Sequence, residues 1–250
     1  MRVAPVARRA GPRCAMLRIA VLLATAFALA CGSPSGPGSD RPLRVLFIGN
    51  SLIALDDVPA ITAALATAAP VRRLEVRSLA IPGRMLRDHW DSDQTQGVLE
   101  QDGPWDVVIL QDVAVVSGEG RDYLEDYVGR FRDAAPGAQV ALMLVWAPKS
   151  DASWFDVIRQ HATSVSAATG VPLIPVGDAW QRVVAEHPDI NLYSSDIYPS
   201  TFGSYLTALV TWRFLTGATT TGLPAVLHLP DGGMVELPPA VAARLQEVAG

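Results

Sequence analysis

From Leu43 onward the chain alternates short β-branched apolar runs with longer amphipathic stretches, and it repeats the alternation until Thr201. A run such as Val45-Leu46-Phe47-Ile48 has no polar face, which suits a strand covered on both sides. The intervening helical patterns supply the covers, so the order predicts a parallel sheet inside a three-layer α/β/α sandwich. Strands are expected at Leu43 to Gly49, Leu74 to Ala80, Asp106 to Gln111, Gln139 to Trp146 and Pro172 to Val176. Helices are expected near Val58 to Ala69, Gly97 to Gln101, Tyr123 to Ala134, Ser153 to Thr169, Asp178 to Glu186, Thr201 to Thr216 and Pro238 to Val248. Pro70, Pro136-Gly137 and Gly170 stand where such helices should stop. Asp231-Gly232-Gly233 reads as a turn between extended pieces at Ala225 to Leu229 and Met234 to Leu237, an edge hairpin. With 250 residues, half of them apolar, the chain suits one domain with a full core.

The first thirty-one residues stand outside that pattern. Arg8, Arg9, Arg13 and Arg18 precede an apolar run from Ile19 to Ala30 that no acid interrupts, the pattern of a secretory signal. The run is too short to span a bilayer comfortably. Its end, Ala28-Leu29-Ala30-Cys31-Gly32, resembles a bacterial lipoprotein signal in which Cys31 would carry lipid and tether the protein to a membrane. A plain cleaved signal and an uncleaved anchor stay open, as does a start at Met16 rather than Met1. Residues 32 to 42, rich in Gly, Ser and Pro, read as a flexible tether before a domain at 43 to 250. Cys14 and Cys31 are the two cysteines of the chain. The exported domain would therefore hold together by packing rather than by a disulfide. Losing a leader with five arginines and no acid would take the formal charge from -5 to about -10, which disfavours nucleic acid as a partner.

In a parallel sheet the residues just beyond the strand ends carry chemistry. Behind the first strand stands Gly49-Asn50-Ser51, a serine on a tight turn into a helix. Such a turn can present a nucleophile at the sheet rim, although helix capping explains many similar tripeptides. Behind the second comes Pro82-Gly83, where an unhindered N–H could face an oxyanion, and behind the third comes Gln111 with a side-chain amide. Trp146 could wall a pocket or simply pack under a loop, and Asp178 reads as a helix N-cap. No metal-ligand spacing, P-loop or dinucleotide fingerprint occurs, so neither a metal nor another cofactor is expected.

Taken in order, these pieces resemble the SGNH (GDSL-like) hydrolase superfamily, over nearly all of Leu43 to Gly217. His89-Trp90, Leu110-Gln111-Asp112 and Pro199-Ser200 with Gly203-Ser204-Tyr205-Leu206 extend the match to one branch of it. The resemblance implies a flavodoxin-like fold, a Ser51 nucleophile, and an oxyanion hole completed by the Gly83 N–H and the Gln111 amide. It implies an acyl or acetyl ester hydrolase acting on a small-molecule or glycan ester.

One block departs from the family. Tyr198 stands where the histidine base belongs, Ser195 stands where its aspartate belongs, and Asp196 is one residue late. Tyrosine titrates near pH 10, so it is a poor base at neutral pH. In established triads, loss of the histidine costs about a millionfold in turnover. Four histidines could compensate. His161 and His228 read as structural, His89 as a packing or substrate residue, and His187 as a helix-end residue or a relocated base. Asp196 acting directly on Ser51, or a deprotonated Tyr198, are rarer arrangements. Two functions stay open: an exported serine ester hydrolase, impaired in activity, or a pseudoenzyme that binds a glycan or acyl ligand without turnover. Beside them stands a surface lipoprotein whose role has left the family's chemistry behind.

Overall fold

A computed structural model of the chain describes residues 41–69, 71–114 and 118–250. The expected signal, Cys31 and most of the tether lie outside those residues. The tether's last residues do not hang free, since the Arg41 guanidinium bonds the Asp106 carboxylate at 2.6 Å.

The elements run β1 (Leu43–Gly49), α1 (Ser51–Ala54), α2 (Val58–Ala68), β2 (Leu74–Ala80), α3 (Leu86–Trp90), α4 (Asp93–Gln101), β3 (Val107–Leu110) and α5 (Gly120–Ala134). They continue with β4 (Gln139–Met143), α6 (Trp154–Thr169), β5 (Leu173–Ile174), α7 (Val176–Glu186), α8 (Thr201–Thr216), β6 (Val226–His228), β7 (Met234–Glu236) and α9 (Pro239–Ala249). Five strands pair in parallel in the order β2-β1-β3-β4-β5, with Phe47 opposite Ser78 on one side and Ile109 on the other. Val45, Leu46, Phe47 and Ile48 are all fully buried, which is why β1 carries no polar alternation. Helix α2 packs on α8, which also meets α7 and α9, while α5 packs against α3 and α6. The three-layer sandwich expected from the alternation is the fold observed.

The order reverses at β1, whose neighbours are β2 and β3. The crevice of such a sheet opens beyond the carboxyl ends of those strands. It therefore falls at Asn50, Ile81 and Gln111.

Several boundaries differ from the sequence reading. The third, fourth and fifth strands are shorter than expected, because past Met143 the chain runs beside the first turn of α7 instead of a strand. There the Gly177 N–H reaches the Leu144 carbonyl at 2.7 Å. Helix α7 starts two residues earlier than Asp178, so Asp178 is not an N-cap; it lies in the first turn and pairs with Arg159 at 3.1 Å. The hairpin β6-β7 forms its own two-stranded antiparallel sheet, separate from the main sheet's edge. Helices α1 and α3, and the first turns of α4 and α5, went unread. Short helices bury too few residues to set up a 3.6-residue period.

Candidate active site

Asn50 leaves β1 in an extended conformation (φ -122°) and its side-chain oxygen accepts the Leu52 N–H at 3.1 Å, capping α1. Ser51 is thereby the first residue of the helix and half-buried. Among the described residues nothing hydrogen-bonds its hydroxyl, and its N–H donates to no described group. A serine so placed faces the partial positive charge of the helix start with a free hydroxyl.

Gln111 lies one residue past β3 and is 1% exposed. Its Oε1 accepts the Asn50 N–H at 2.9 Å, which settles the amide's orientation. The other end, Nε2, is buried with no partner among the described residues. A buried amide donor left unpaired costs about 1–3 kcal/mol, so such a group marks either strain or a missing acceptor. Gly49 permits the approach, because a Cβ there would stand 2.7 Å from Gln111 Oε1 and 2.8 Å from Ile53 Cδ1.

Behind β2, the Arg84 N–H bonds the Ile81 carbonyl at 3.1 Å, with Pro82 and Gly83 between them. Gly83 has φ +79°, the left-handed value that the third position of a type II turn requires. Its N–H, like that of Ser51, donates to no described residue. The turn is tied to the serine strand by the Gly49 carbonyl, which accepts the Ile81 N–H at 2.9 Å and His89 Nε2 at 2.9 Å. His89 is fully buried, and its Nδ1 meets the Thr95 hydroxyl at 3.3 Å. Burial holds the imidazole below its usual pKa, so the neutral ring donates through Nε2 and accepts at Nδ1. Of the two readings for His89, packing is the one its contacts fit.

The block from Tyr193 to Ser200 is fastened to the chain beyond β4. Tyr193 and Pro199 form an antiparallel bridge. The Trp146 indole donates to the Ile197 carbonyl at 2.9 Å. Asp196 accepts the Ser150 N–H on its carboxylate at 2.7 Å and the Lys149 N–H on its carbonyl at 2.7 Å. Asp196 thus clasps a neighbouring loop, and no bond joins it to Ser51. Trp146 is fully buried and stacks on Trp180 at 3.9 Å, so it packs under the loop and walls no pocket. Tyr198 is 38% exposed, and its hydroxyl bonds no described residue. Ser195 is exposed.

No imidazole makes a hydrogen bond to Ser51. His187 takes the C-cap of α7 through its backbone N–H on the Val183 carbonyl at 2.8 Å, His161 lies within α6, and His228 is exposed in β6. The structure brings Asn50, Ser51, Gly83 and Gln111 onto one set of interlocked turns, and places Asp196 and Tyr198 on a separately fastened loop.

Sequence reasoning passed over Asp112 as a site residue. It is 5% exposed and its carboxyl is pushed up to about 6 by burial, against the pull of the N–H and O–H groups that surround it. Its sequence signals were its position next to Gln111 and its place in the Leu110-Gln111-Asp112 block, neither of which says what it bonds. Among the described residues no group of His, Cys, Asp and Glu could hold a metal ion, and no helix is long and apolar enough to cross a membrane.

No family model matches the chain, and no curated protein matches it in sequence. Solved structures do match in fold. A candidate SGNH hydrolase from Slackia heliotrinireducens aligns with a TM-score of 0.59 at 23% identity, over 70% of this chain and 100% of its own. The lipase/acylhydrolase of Enterococcus faecalis aligns with a TM-score of 0.55 at 15% identity, covering 70% of this chain and 96% of that one. An acetylxylan esterase of Geobacillus stearothermophilus aligns with a TM-score of 0.54 at 17% identity, over 68% and 93%. At such identities the likeness establishes a shared fold.

Proposed function

We propose that the chain is an ester hydrolase of the SGNH type, with Ser51 as nucleophile. The observation that carries this reading is the buried, unpaired Nε2 of Gln111, a donor without an acceptor beside the turn that presents a free serine hydroxyl. An acyl oxygen in that corner would supply the missing acceptor. Ser51 Oγ attacks the acyl carbonyl, forming a C–O bond while its proton passes to solvent water, because no imidazole bonds the serine. The negative oxygen is held by Gln111 Nε2 and the Gly83 N–H. Collapse expels the alcohol, which takes up the proton, and water then cleaves the acyl-serine to a carboxylic acid and free serine. The ester class follows from the fold neighbours, which include a lipase/acylhydrolase and an acetylxylan esterase. A small-molecule or glycan ester is the substrate class we favour.

A second reading has its own observation. No imidazole bonds Ser51, and the loop that would supply the base presents Tyr198 instead, with Asp196 engaged on Ser150. On that reading the site binds a glycan or acyl ligand without turnover. The leader and Cys31 support export and lipid anchoring, testable by metabolic palmitate labelling that Cys31→Ala should abolish.

The deciding experiment treats purified wild type, Ser51→Ala and Tyr198→His with a fluorophosphonate probe and a short-chain aryl ester. Labelling and turnover that disappear in Ser51→Ala support a working hydrolase. Wild type that labels and turns over nothing, beside a Tyr198→His variant that does, favours the binding reading. Wild type and Ser51→Ala that label and turn over equally well would remove Ser51 as the nucleophile.

A further inference from the structure

The Asp112 carboxylate is ringed by donors. Its Oδ1 accepts the Val113 N–H at 2.6 Å, and its Oδ2 accepts the Leu86 N–H at 2.7 Å and the Tyr123 hydroxyl at 3.1 Å. The Tyr123 oxygen in turn accepts the Arg87 N–H at 3.0 Å. Leu86 and Arg87 are the first two residues of α3, whose opening N–H groups can find no partner within the helix. A strand-end carboxylate and a tyrosine from α5 therefore cap α3 from outside. Helix α3 is the piece that follows the Gly83 turn, and through His89 it reaches the Gly49 carbonyl behind Ser51. Asp112 itself adjoins Gln111.

We propose that Asp112, acting through Tyr123 and the first turn of α3, is the positioning residue of the Ser51 site, holding the Gly83 turn in register with the Gln111 amide. The proposal rests on the hydrolase reading of that site. It extends it by naming what sets the width of the anion-binding corner and what can loosen it. The Val113, Leu86 and Tyr123 neighbours of the carboxylate are all donors, and these bonds tie the first turn of α3 to the end of β3. The groups facing it are few. Tyr123 approaches from α5, Arg87 lies over the Tyr123 ring at 5.6 Å and pairs with Glu119 at 3.4 Å, and β4 and α6 offer only apolar side chains such as Leu142, Met143, Ile158 and Ala162. Burial already pushes the carboxyl up to about 6, which brings its protonation into mildly acid solution. An α3 opened to water would return the carboxyl to its ordinary, lower pKa, so acid favours the closed cap, and ionisation above about pH 6 weakens it and, with it, the Gly83 turn.

The test uses the full chain as wild type, Tyr123→Phe and Asp112→Asn, between about pH 5 and pH 8. Amide exchange of residues 83–90, corrected for intrinsic rates, is followed beside the fluorophosphonate labelling rate of Ser51. Wild-type protection of 83–90 should be greatest in acid and fall as the pH rises through about 6, as a carboxyl pKa raised in the closed state requires. Tyr123→Phe should label about tenfold more slowly, protect 83–90 about tenfold less, and shift the acid inflection, while β1 stays protected. Should Asp112→Asn fail to fold, Tyr123→Phe carries the test alone. Labelling with the wild-type rate and pH profile in Tyr123→Phe would overturn the proposal, even with faster exchange, because Asp112 would then only brace the fold. Flat protection of 83–90 in wild type would overturn it too. Wild type that never labels, yet still shows acid-dependent protection of 83–90, would instead overturn the hydrolase reading while the positioning stands.

Discussion

Gln111 divides two jobs between the two ends of one amide. The oxygen is engaged by Asn50 and the nitrogen has no partner among the described residues. Gln111→Glu keeps the acceptor and removes the donor, so it should fold while Ser51 loses about a hundredfold to a thousandfold in fluorophosphonate labelling rate. A rate within threefold of wild type would remove Gln111 from the site. Beside it, Asp112 makes a prediction about stability. Its folded pKa lies above the unfolded value, so folding takes up a proton across roughly pH 4 to 6. Its contribution is full below that window and fades as the pH rises through it, by up to about 3 kcal/mol. Urea unfolding should therefore find wild type losing ground to Asp112→Asn between about pH 4 and pH 7. His89 works in the opposite sense. Its folded pKa is lowered, so its contribution is present above the unfolded value and is lost as the pH falls. At this scale Ser51, Gly83 and Gln111 were legible because each sits one turn beyond a strand. Asp112 and Tyr123 were not, since what they do depends on partners 26 and 36 residues away along the chain.

The loop from Tyr193 to Ser200 is held by its backbone and by residues other than Tyr198, through the Trp146 indole, the Asp196 carboxylate and the bridge to Pro199. The Tyr198 side chain is half in solvent and bonds nothing described, so the position is open to exchange. Tyr198→His should change stability by no more than about 0.5 kcal/mol, within a degree or two in melting temperature. A loss of several degrees would show that the tyrosine supports the loop. Among elements, α8 was readable to the residue because its start and stop are written in the chain. Ser200 caps it through the Gly203 N–H at 3.4 Å, and Gly217 ends it in the left-handed conformation at φ +68°. Helix α3 is only partly written in the chain: Asp88 reaches back to the Met85 N–H at 2.9 Å, while the Leu86 and Arg87 N–H groups are satisfied by Asp112 and Tyr123, partners that only the folded chain provides.

Across the whole molecule, buried Gln246 of α9 fastens the carboxyl-terminal segment to α8. Its amide nitrogen donates to the Tyr205 hydroxyl at 2.9 Å and the Leu223 carbonyl at 2.6 Å, while its oxygen accepts the Gly222 N–H at 3.0 Å. Gln246→Ala would take a partner from the Tyr205 hydroxyl, the Leu223 carbonyl and the Gly222 N–H, though the hydroxyl keeps its bond to the Pro224 carbonyl, and should cost about 3 kcal/mol, or roughly 10 °C in melting temperature. A melting temperature within two degrees of wild type would mean that water replaces the amide. The sequence by itself determined the layered architecture, because apolar runs with no polar face can be satisfied only inside a sheet covered on both sides. It also determined that a serine, a glycine and an amide would follow the first three strands, since chain order alone places residues at strand ends. Only the tertiary structure decided that Gln111 turns its oxygen to Asn50 and leaves its nitrogen free, that Asp196 is committed to the loop after β4, and that Asp112 caps a helix from another part of the chain. Those outcomes depend on which donors meet which acceptors across the sheet, and residues far apart in sequence acquire that geometry only when the strands pair.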